Sequence, residues 1–230
     1  MHRFLDIIIS LSALIFLSPL LIPIILVLKF SGEGEIFYTQ KRIGINGRVF
    51  GLLKFATMLK NSPNIGSGNL TLRHDPRVLP VGKFLRKSKI NELPQLLNIF
   101  LGDMSIVGPR PMVSETFEKY PKPAQIILNT VRPGLTGIGS IIFRDEELYL
   151  DNYENPIDFY NTVIIPYKSN LEVWYVKNNS IWLYIKIIFI TAWVVIFSNS
   201  NIADALLSNL PPKPYDLKKI IDLQNVNHSK

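Results

Sequence analysis

The sequence predicts a mixed α/β domain, dominated by helices and carried on an apolar N-terminal segment. Three observations predict it. An uncharged apolar run covers residues 7–28. Two short strand-like runs, residues 36–40 and 49–55, flank the turn residues Gly44-Ile-Asn-Gly47. Beyond them, helical periodicity recurs in several short segments and in one strongly apolar stretch, residues 181–197. A chain of 230 residues has room for one domain with a real core plus an anchor. With 47% hydrophobic residues and a net charge of +7, it suits nucleic acid, anionic lipid or phosphorylated substrates as partners. The absence of cysteine excludes a disulfide framework, a thiolate zinc site and a cysteine nucleophile.

As a straight helix the first run would reach about 33 Å, enough to cross a hydrocarbon core. No small-residue cleavage site follows it, which argues against a signal peptide. Ser18-Pro19 and Pro23 lie inside it, so a kink or break is expected near the middle. The residues alone leave a spanning helix and a dip-and-return segment equally open. Lys29, Lys41, Arg42, Arg48, Lys54 and Lys60 follow the run, whereas Arg3 and His2 precede it, so the body of the protein is expected in the cytoplasm.

After the two strand-like runs, residues 61–76 read as a mobile loop rich in Gly, Ser, Asn and Pro. Residues 82–87 read as helix. Residues 91–101 form a second helix, with Leu93, Leu96, Leu97, Phe100 and Leu101 on one face. Two more short helices cover 114–120 and 123–129. Asn155-Pro156 opens a helical stretch interrupted at Pro166, and another helix covers 171–177. Lys186 sits inside the apolar stretch 181–197. A central lysine costs a spanning helix roughly 2.5–3.5 kcal/mol, so this helix is expected to lie in the membrane interface or against the fold, with Trp182, Tyr184 and Trp193 as interfacial residues. Residues 211–230 read as a loose tail.

Functional residue types concentrate in the centre: Arg73-His-Asp-Pro-Arg77, Gly82-Lys-Phe-Leu-Arg-Lys87, Asn91-Glu92, Gly102-Asp-Met-Ser105, Val107-Gly-Pro-Arg-Pro111, Arg132-Pro-Gly134 and Thr136-Gly137. Cations alternating with Gly and Pro turns suit phosphate held in a rigid, backbone-lined pocket. Arginine supplies a planar fork and lysine a point charge. Alone, that pattern does not name a reaction.

The string Ser88-Lys-Ile-Asn-Glu-Leu-Pro-Gln-Leu-Leu-Asn98, running into Gly102-Asp-Met-Ser-Ile-Val-Gly-Pro-Arg-Pro111, closely resembles the bacterial sugar transferase family, the monotopic polyprenyl-phosphate phosphoglycosyl transferases. Gln40-Lys-Arg-Ile-Gly44, Lys54-Phe55, Thr57-Met58, Asp75-Pro-Arg77, Val131-Arg-Pro-Gly134 and Tyr175-Val-Lys-Asn178 fit in order, and the resemblance covers residues 3 to 200. It implies a re-entrant membrane helix bending at Ser18-Pro19 (residues 1–30), a compact cytoplasmic domain with interfacial helices (31–200) and a C-terminal extension (201–230). The implied location is the cytoplasmic face of the bacterial inner membrane. The implied reaction moves a phosphosugar from a UDP-sugar to polyprenyl (undecaprenyl) phosphate, initiating exopolysaccharide, lipopolysaccharide or other glycoconjugate assembly, with other glycan-assembly enzymes as possible partners.

In the family an Asp-Glu pair works with Mg²⁺, and the aspartate forms a covalent phosphosugar intermediate. A carboxylate nucleophile divides one hard displacement into two easier ones, while Mg²⁺ and cations offset the charge of the diphosphate. By resemblance, Glu92 is the pair's glutamate and serves the metal, Arg86 and Arg110 hold phosphate or shape the pocket, and Lys54 is a basic residue beside the site. Asp103 falls in a matching motif and could equally cap a turn beside Gly102.

The chain departs from the family at three places. Asn91 stands where the nucleophilic aspartate belongs, and a neutral amide is a poor nucleophile at phosphorus. Asn91 could also serve as a helix N-cap with Pro94 in the first turn. After Thr136-Gly137 the family continues into a tryptophan-containing segment ending near Asn-Gly-Arg, whereas this chain reads Ile138-Gly-Ser-Ile-Ile-Phe-Arg-Asp-Glu-Glu147. Ala56 replaces a basic residue. Three readings follow. The first is a transferase that works by direct attack of the lipid phosphate or through another carboxylate, such as Glu92 or Asp145. The second is a catalytically silent relative that binds nucleotide sugar or lipid phosphate and assists a partner enzyme. The third is a scaffold, which the cluster of Lys54, Arg86, Glu92 and Arg110 disfavours. A nucleic-acid role is disfavoured by the membrane segment and the lack of any nucleic-acid motif.

Overall fold

The computed structural model describes residues 2–64, 75–144, 155–197, 202–207 and 209–218. Most of the mobile loop expected at 61–76, the acidic residues Asp145, Glu146 and Glu147, and the last part of the tail lie outside them. The fold is helix-dominated, as expected, and divides into two compact units. One comprises Met1–Arg42 with Val49–Ser105, and the other comprises Ile43–Arg48 with Ile106–Lys230.

The first unit begins with helix α1, Arg3–Lys29, which is long and apolar enough to cross a membrane. Both prolines fall inside this helix. Pro19 has no N–H to give the Ile15 carbonyl, and the Ser18 hydroxyl donates there instead (2.8 Å). Phe4, Ile15, Phe16 and Ile22 face outward. The inward groups at the start of α1 are polar: His2, Asp6 and Ser10 are buried, and Asp6 accepts a hydrogen bond from the Ser105 hydroxyl at 2.9 Å. The Arg3 guanidinium donates to the carbonyls of Ile99 and Phe100, placing a cation on the negative end of helix α3, Gln95–Leu101. At its other end Leu21, Ile24, Ile25 and Leu28 pack with Phe55 and with Leu85 of helix α2, Pro80–Lys87.

Strands β1, Phe37–Ile43, and β2, Val49–Phe55, form a two-stranded sheet. β1 runs three residues past the expected end at Gln40. Asn46 and Gly47 take positive φ (57° and 72°) in the turn between the strands. That turn counts with the second unit, where Ile43 and Asn46 donate to the carbonyls of Met112 (2.9 Å) and Asn129 (2.7 Å).

The helix expected at 91–101 starts later. Pro94 has no N–H for the Ile90 carbonyl, which accepts from Leu93 instead (3.0 Å). The result is a 3₁₀ turn at Ile90–Glu92, then α3. Asn91 therefore does not cap α3, and the cap residue is Pro94.

In the second unit, three-residue strands β3, Ser105–Val107, and β4, Gly134–Thr136, form another two-stranded sheet. A Cβ on Gly134 would fall 2.1 Å from the Gly108 nitrogen, so only glycine permits this approach of the two backbones. Helices α4, Ser114–Glu118, α5, Lys122–Leu128, and α6, Ile138–Ile142, follow in order. Asn155 caps α7, Pro156–Phe159, and a π-helical turn at Tyr160–Ile164 leads into α8, Ile165–Lys177. The interruption expected at Pro166 is absent, because that proline sits in the first turn of α8, where its N–H is not needed. Helix α9, Ile181–Ile196, buries Tyr184, Ile187, Ile190 and Val194 against its unit and leaves Trp182, Phe189 and Ile196 exposed. Lys186 lies on the exposed side, where its ammonium donates to the Leu206 carbonyl (3.2 Å) of helix α10, Ile202–Leu206.

Candidate active site

In the first unit β2 and α3 are joined by one side chain. The Asn98 amide accepts from Leu53 N–H (2.9 Å), donates to the Gly51 carbonyl (2.8 Å) and donates to Asp103 Oδ2 (3.3 Å). Asp103 thus supports Asn98, beside Gly102, whose φ of 102° ends α3. The join sets the register of Lys54, the residue after Leu53, against the 3₁₀ turn. Lys54 Nζ lies 3.3 Å from Glu92 Oε1, and both side chains are 19% exposed, so the pair is screened from water without being sealed off. Next to Glu92, Asn91 is 6% exposed, and its Oδ1 has no hydrogen-bond partner among the described residues. Lys89, at φ 58°, turns the chain into this segment. Arg86, in the last turn of α2, is half-buried, with a long contact from Nη1 to Met58 Sδ (4.0 Å).

The structure therefore brings Lys54 and Glu92 together and buries Asn91 beside Glu92. Arg110 belongs to the second unit and is exposed there. Arg77, in the cationic cluster noted in the sequence, has a different use. It is buried, and its guanidinium forms a two-pronged pair with Asp75 (2.8 and 2.5 Å) and donates to the Ser62 carbonyl (2.7 Å). It holds the chain together and offers nothing to a ligand.

In the second unit the Arg110 N–H donates to Glu172 Oε1 (3.3 Å), and Arg110 Nη1 lies 3.5 Å from the Ser140 hydroxyl. Glu172, on α8, is 2% exposed, and its Oε2 has no hydrogen-bond partner among the described residues. Burial pushes its carboxyl up to about 7, against the lowering influence of the Arg110 N–H and of the Lys168 and Arg110 charges. The sequence did not single out Glu172. Its one available signal is an acidic residue, between Leu171 and Val173, at a position that helical spacing assigns to the core. Asn98 was equally silent, since its role depends on β2 lying alongside α3.

Comparison with known proteins identifies the family. Residues 1–198 match the family described as bacterial sugar transferase, and the chain belongs to that family. It is 44% identical over 161 residues to the exopolysaccharide production protein ExoY of Sinorhizobium fredii, covering 64% of this chain and 71% of that one. It is 34% identical over 210 residues to an undecaprenyl-phosphate galactose phosphotransferase of Salmonella typhimurium, covering 85% of this chain and 40% of the relative. A UDP-glucose:undecaprenyl-phosphate glucose-1-phosphate transferase of Escherichia coli is 35% identical over 191 residues, covering 82% and 38%. The chain thus spans well under half the length of the last two relatives. With α1 and this family, it is a membrane protein and a sugar transferase homologue.

Proposed function

We propose that the chain transfers a phosphosugar from a UDP-sugar to undecaprenyl phosphate at the cytoplasmic face of the bacterial inner membrane, in exopolysaccharide or related glycan assembly. The observation that carries this reading is the Lys54–Glu92 pair, held by the Asn98 join within a chain of this family. A lipid phosphate oxygen attacks the β-phosphorus of the UDP-sugar, the bond to the bridging oxygen breaks, and UMP leaves. Lys54 and Arg86 offset phosphate charge, and for Arg110 the family resemblance alone supports a phosphate-holding role.

The donor set fits Mg²⁺ in its usual enzymatic form, with one carboxylate supplemented by substrate phosphates: Glu92 would hold the ion, and the orphaned Asn91 Oδ1 is a neutral oxygen beside it. Bound there, Mg²⁺ would neutralise charge on the diphosphate. A dip-and-return anchor is supported by α1 itself, because its start packs on α3 and its end on Phe55 and Leu85, all in one unit. A helix that crossed the bilayer would carry one end away from that unit. An exposed apolar face on α9 supports interfacial contact with lipid.

The buried Asn91, whose Oδ1 has no hydrogen-bond partner among the described residues, also favours a second reading, a binding relative that has kept the pocket and lost the nucleophile. The test is UMP release by the purified full chain with Mg²⁺, undecaprenyl phosphate and a panel of UDP-sugars, beside Asn91→Asp. Lipid-dependent release by the native chain establishes transfer without an aspartate. Silence from the native chain with activity in Asn91→Asp assigns the binding role, and silence from both refutes the transferase reading.

A further inference from the structure

We propose that the outward face of α2 is a docking surface for anionic phospholipid, with Phe84 entering the bilayer surface beside Lys83, Lys87 and Lys89. The inference rests on the reading that α1 lies in lipid. It holds whether that helix crosses the membrane or returns, because either path leaves Lys29 and Phe30 at the surface.

The orientation of α2 is fixed by its packing. Leu85 is 1% exposed and clusters with Leu28 and Phe55, with Ile24, Ile25 and Val81 packed against them. Gly82 is pressed onto the chain after β2, where a Cβ would fall 2.2 Å from the Thr57 carbonyl oxygen. The start of α2 is held by the turn that leaves α1, since a Cβ on Gly32 would fall 2.8 Å from Leu79 Cδ1. With that side against the C-terminal end of α1, helical spacing turns Lys83, Phe84 and Lys87 to the other. All three are exposed, Phe84 at 65%, and so is Lys89 just beyond the helix. Where α1 ends, Lys29 is exposed and Phe30 is 88% exposed.

The charge of this face has one sign. Residues 76–91 contain no acidic residue, and neither do residues 65–74. Glu33 and Glu35, in the segment leaving α1, both accept hydrogen bonds from Lys60, and Lys29 also acts on Glu35. Among the described residues, Lys83, Lys87 and Lys89 form no ion pair. An exposed ring among lysines at the foot of a membrane helix matches the headgroup region. There the ring reaches the acyl boundary, while the lysine stems lie along it and their ammoniums stay among phosphates. Juxtamembrane lysines are drawn to an anionic leaflet. An acidic soluble partner would answer the lysines alone, whereas a bilayer answers Phe84 and Phe30 as well and is already held by the apolar outer side of α1, with Leu26 and Val27.

The chain has no cysteine, so Phe84→Cys accepts a single apolar fluorescent label. The labelled full chain is reconstituted in bilayers of phosphatidylcholine and phosphatidylglycerol in equal amounts, with bromine on the acyl chains of one lipid or of the other. Quenching should be about threefold stronger with brominated phosphatidylglycerol at low salt. It should approach equality at about 1 M salt, where screening acts within about 3 Å. Adding Lys83→Gln, Lys87→Gln and Lys89→Gln together should also make the two lipids quench equally. These exposed positions should leave Tm within about 2 °C of the labelled parent. A label at residue 84 that neither lipid quenches, or that both quench equally at low salt, overturns the inference. So does a preference that survives the three lysine substitutions. In the same bilayers, a label on Phe16→Cys, on the outward side of α1, should be quenched by both lipids, and silence there overturns the reading that α1 lies in lipid.

Discussion

Replacing Asn98 with alanine removes the join between β2 and α3. Asn98 is 6% exposed, and its amide satisfies the Leu53 N–H and the Gly51 carbonyl at 2.9 and 2.8 Å. Alanine leaves both without their partner, and each buried group so orphaned costs about 1–3 kcal/mol. The expected loss is roughly 2–5 kcal/mol, since water partly recovers groups at the edge of a two-stranded sheet. For a chain of this size each kcal/mol lowers Tm by about 2–4 °C, so a drop on the order of 5–15 °C is expected. Thermal unfolding of the detergent-solubilised chain reads that shift. Hydrogen exchange of the peptide covering Val49–Phe55 locates it, because the Leu53 amide loses its acceptor. Asn98→Asp separates the two bonds: it keeps an acceptor for Leu53, loses the donor to Gly51 and sets a charge against Asp103, so it should be destabilised as well. Unchanged exchange at Leu53 together with a Tm within about 2 °C of wild type would refute the join.

Breaking the Arg77–Asp75 pair by Asp75→Asn should destabilise the chain, because the guanidinium loses the two-pronged carboxylate that orders it. Denaturant titration checks this. Lys54→Met should change stability by no more than about 1 kcal/mol, as expected for a partly solvated pair, yet it should abolish lipid-dependent UMP release, and full activity would remove Lys54 from the site. Glu172 titrates at about 7 in the folded chain against an ordinary 4.5, so the native state holds its proton across that window while the unfolded chain releases it. Stability should therefore fall as pH rises through the window, by about 3 kcal/mol at about 1.36 kcal/mol per pH unit. Glu172→Gln should lack that component, and parallel stability curves for the two proteins would contradict it.

What was legible in the sequence were features with a local cause. The apolar run of α1, the hairpin around Gly44-Ile-Asn-Gly47 and the short helices α2, α4 and α5 each follow from periodicity and turn residues nearby. The motif strings gave Lys54, Arg86, Glu92 and Arg110 their candidate roles before any geometry was known. Strands β3 and β4 were hidden because three residues are too few to show alternation, and their pairing depends on Gly108 meeting Gly134 from distant parts of the chain. The break at Pro94 was hidden because the leucine spacing continues across it. Asn98 and Glu172 look like ordinary members of helical patterns, and only the folded chain sets β2 beside one and Gly137 and Gly139 beside the other.

The docking of α1 also constrains the order of events during synthesis. Arg3 finds its carbonyl partners 96 and 97 residues later in the chain. When α1 leaves the ribosome, the helix that receives it has not yet been translated, and an apolar segment of this length does not wait in water. Lipid therefore takes up the anchor first, and its polar N-terminal groups are secured only when α3 arrives. Helix α1 thus meets lipid before the residues that follow it have a fold, so the membrane serves them as a folding partner as well as a place to work.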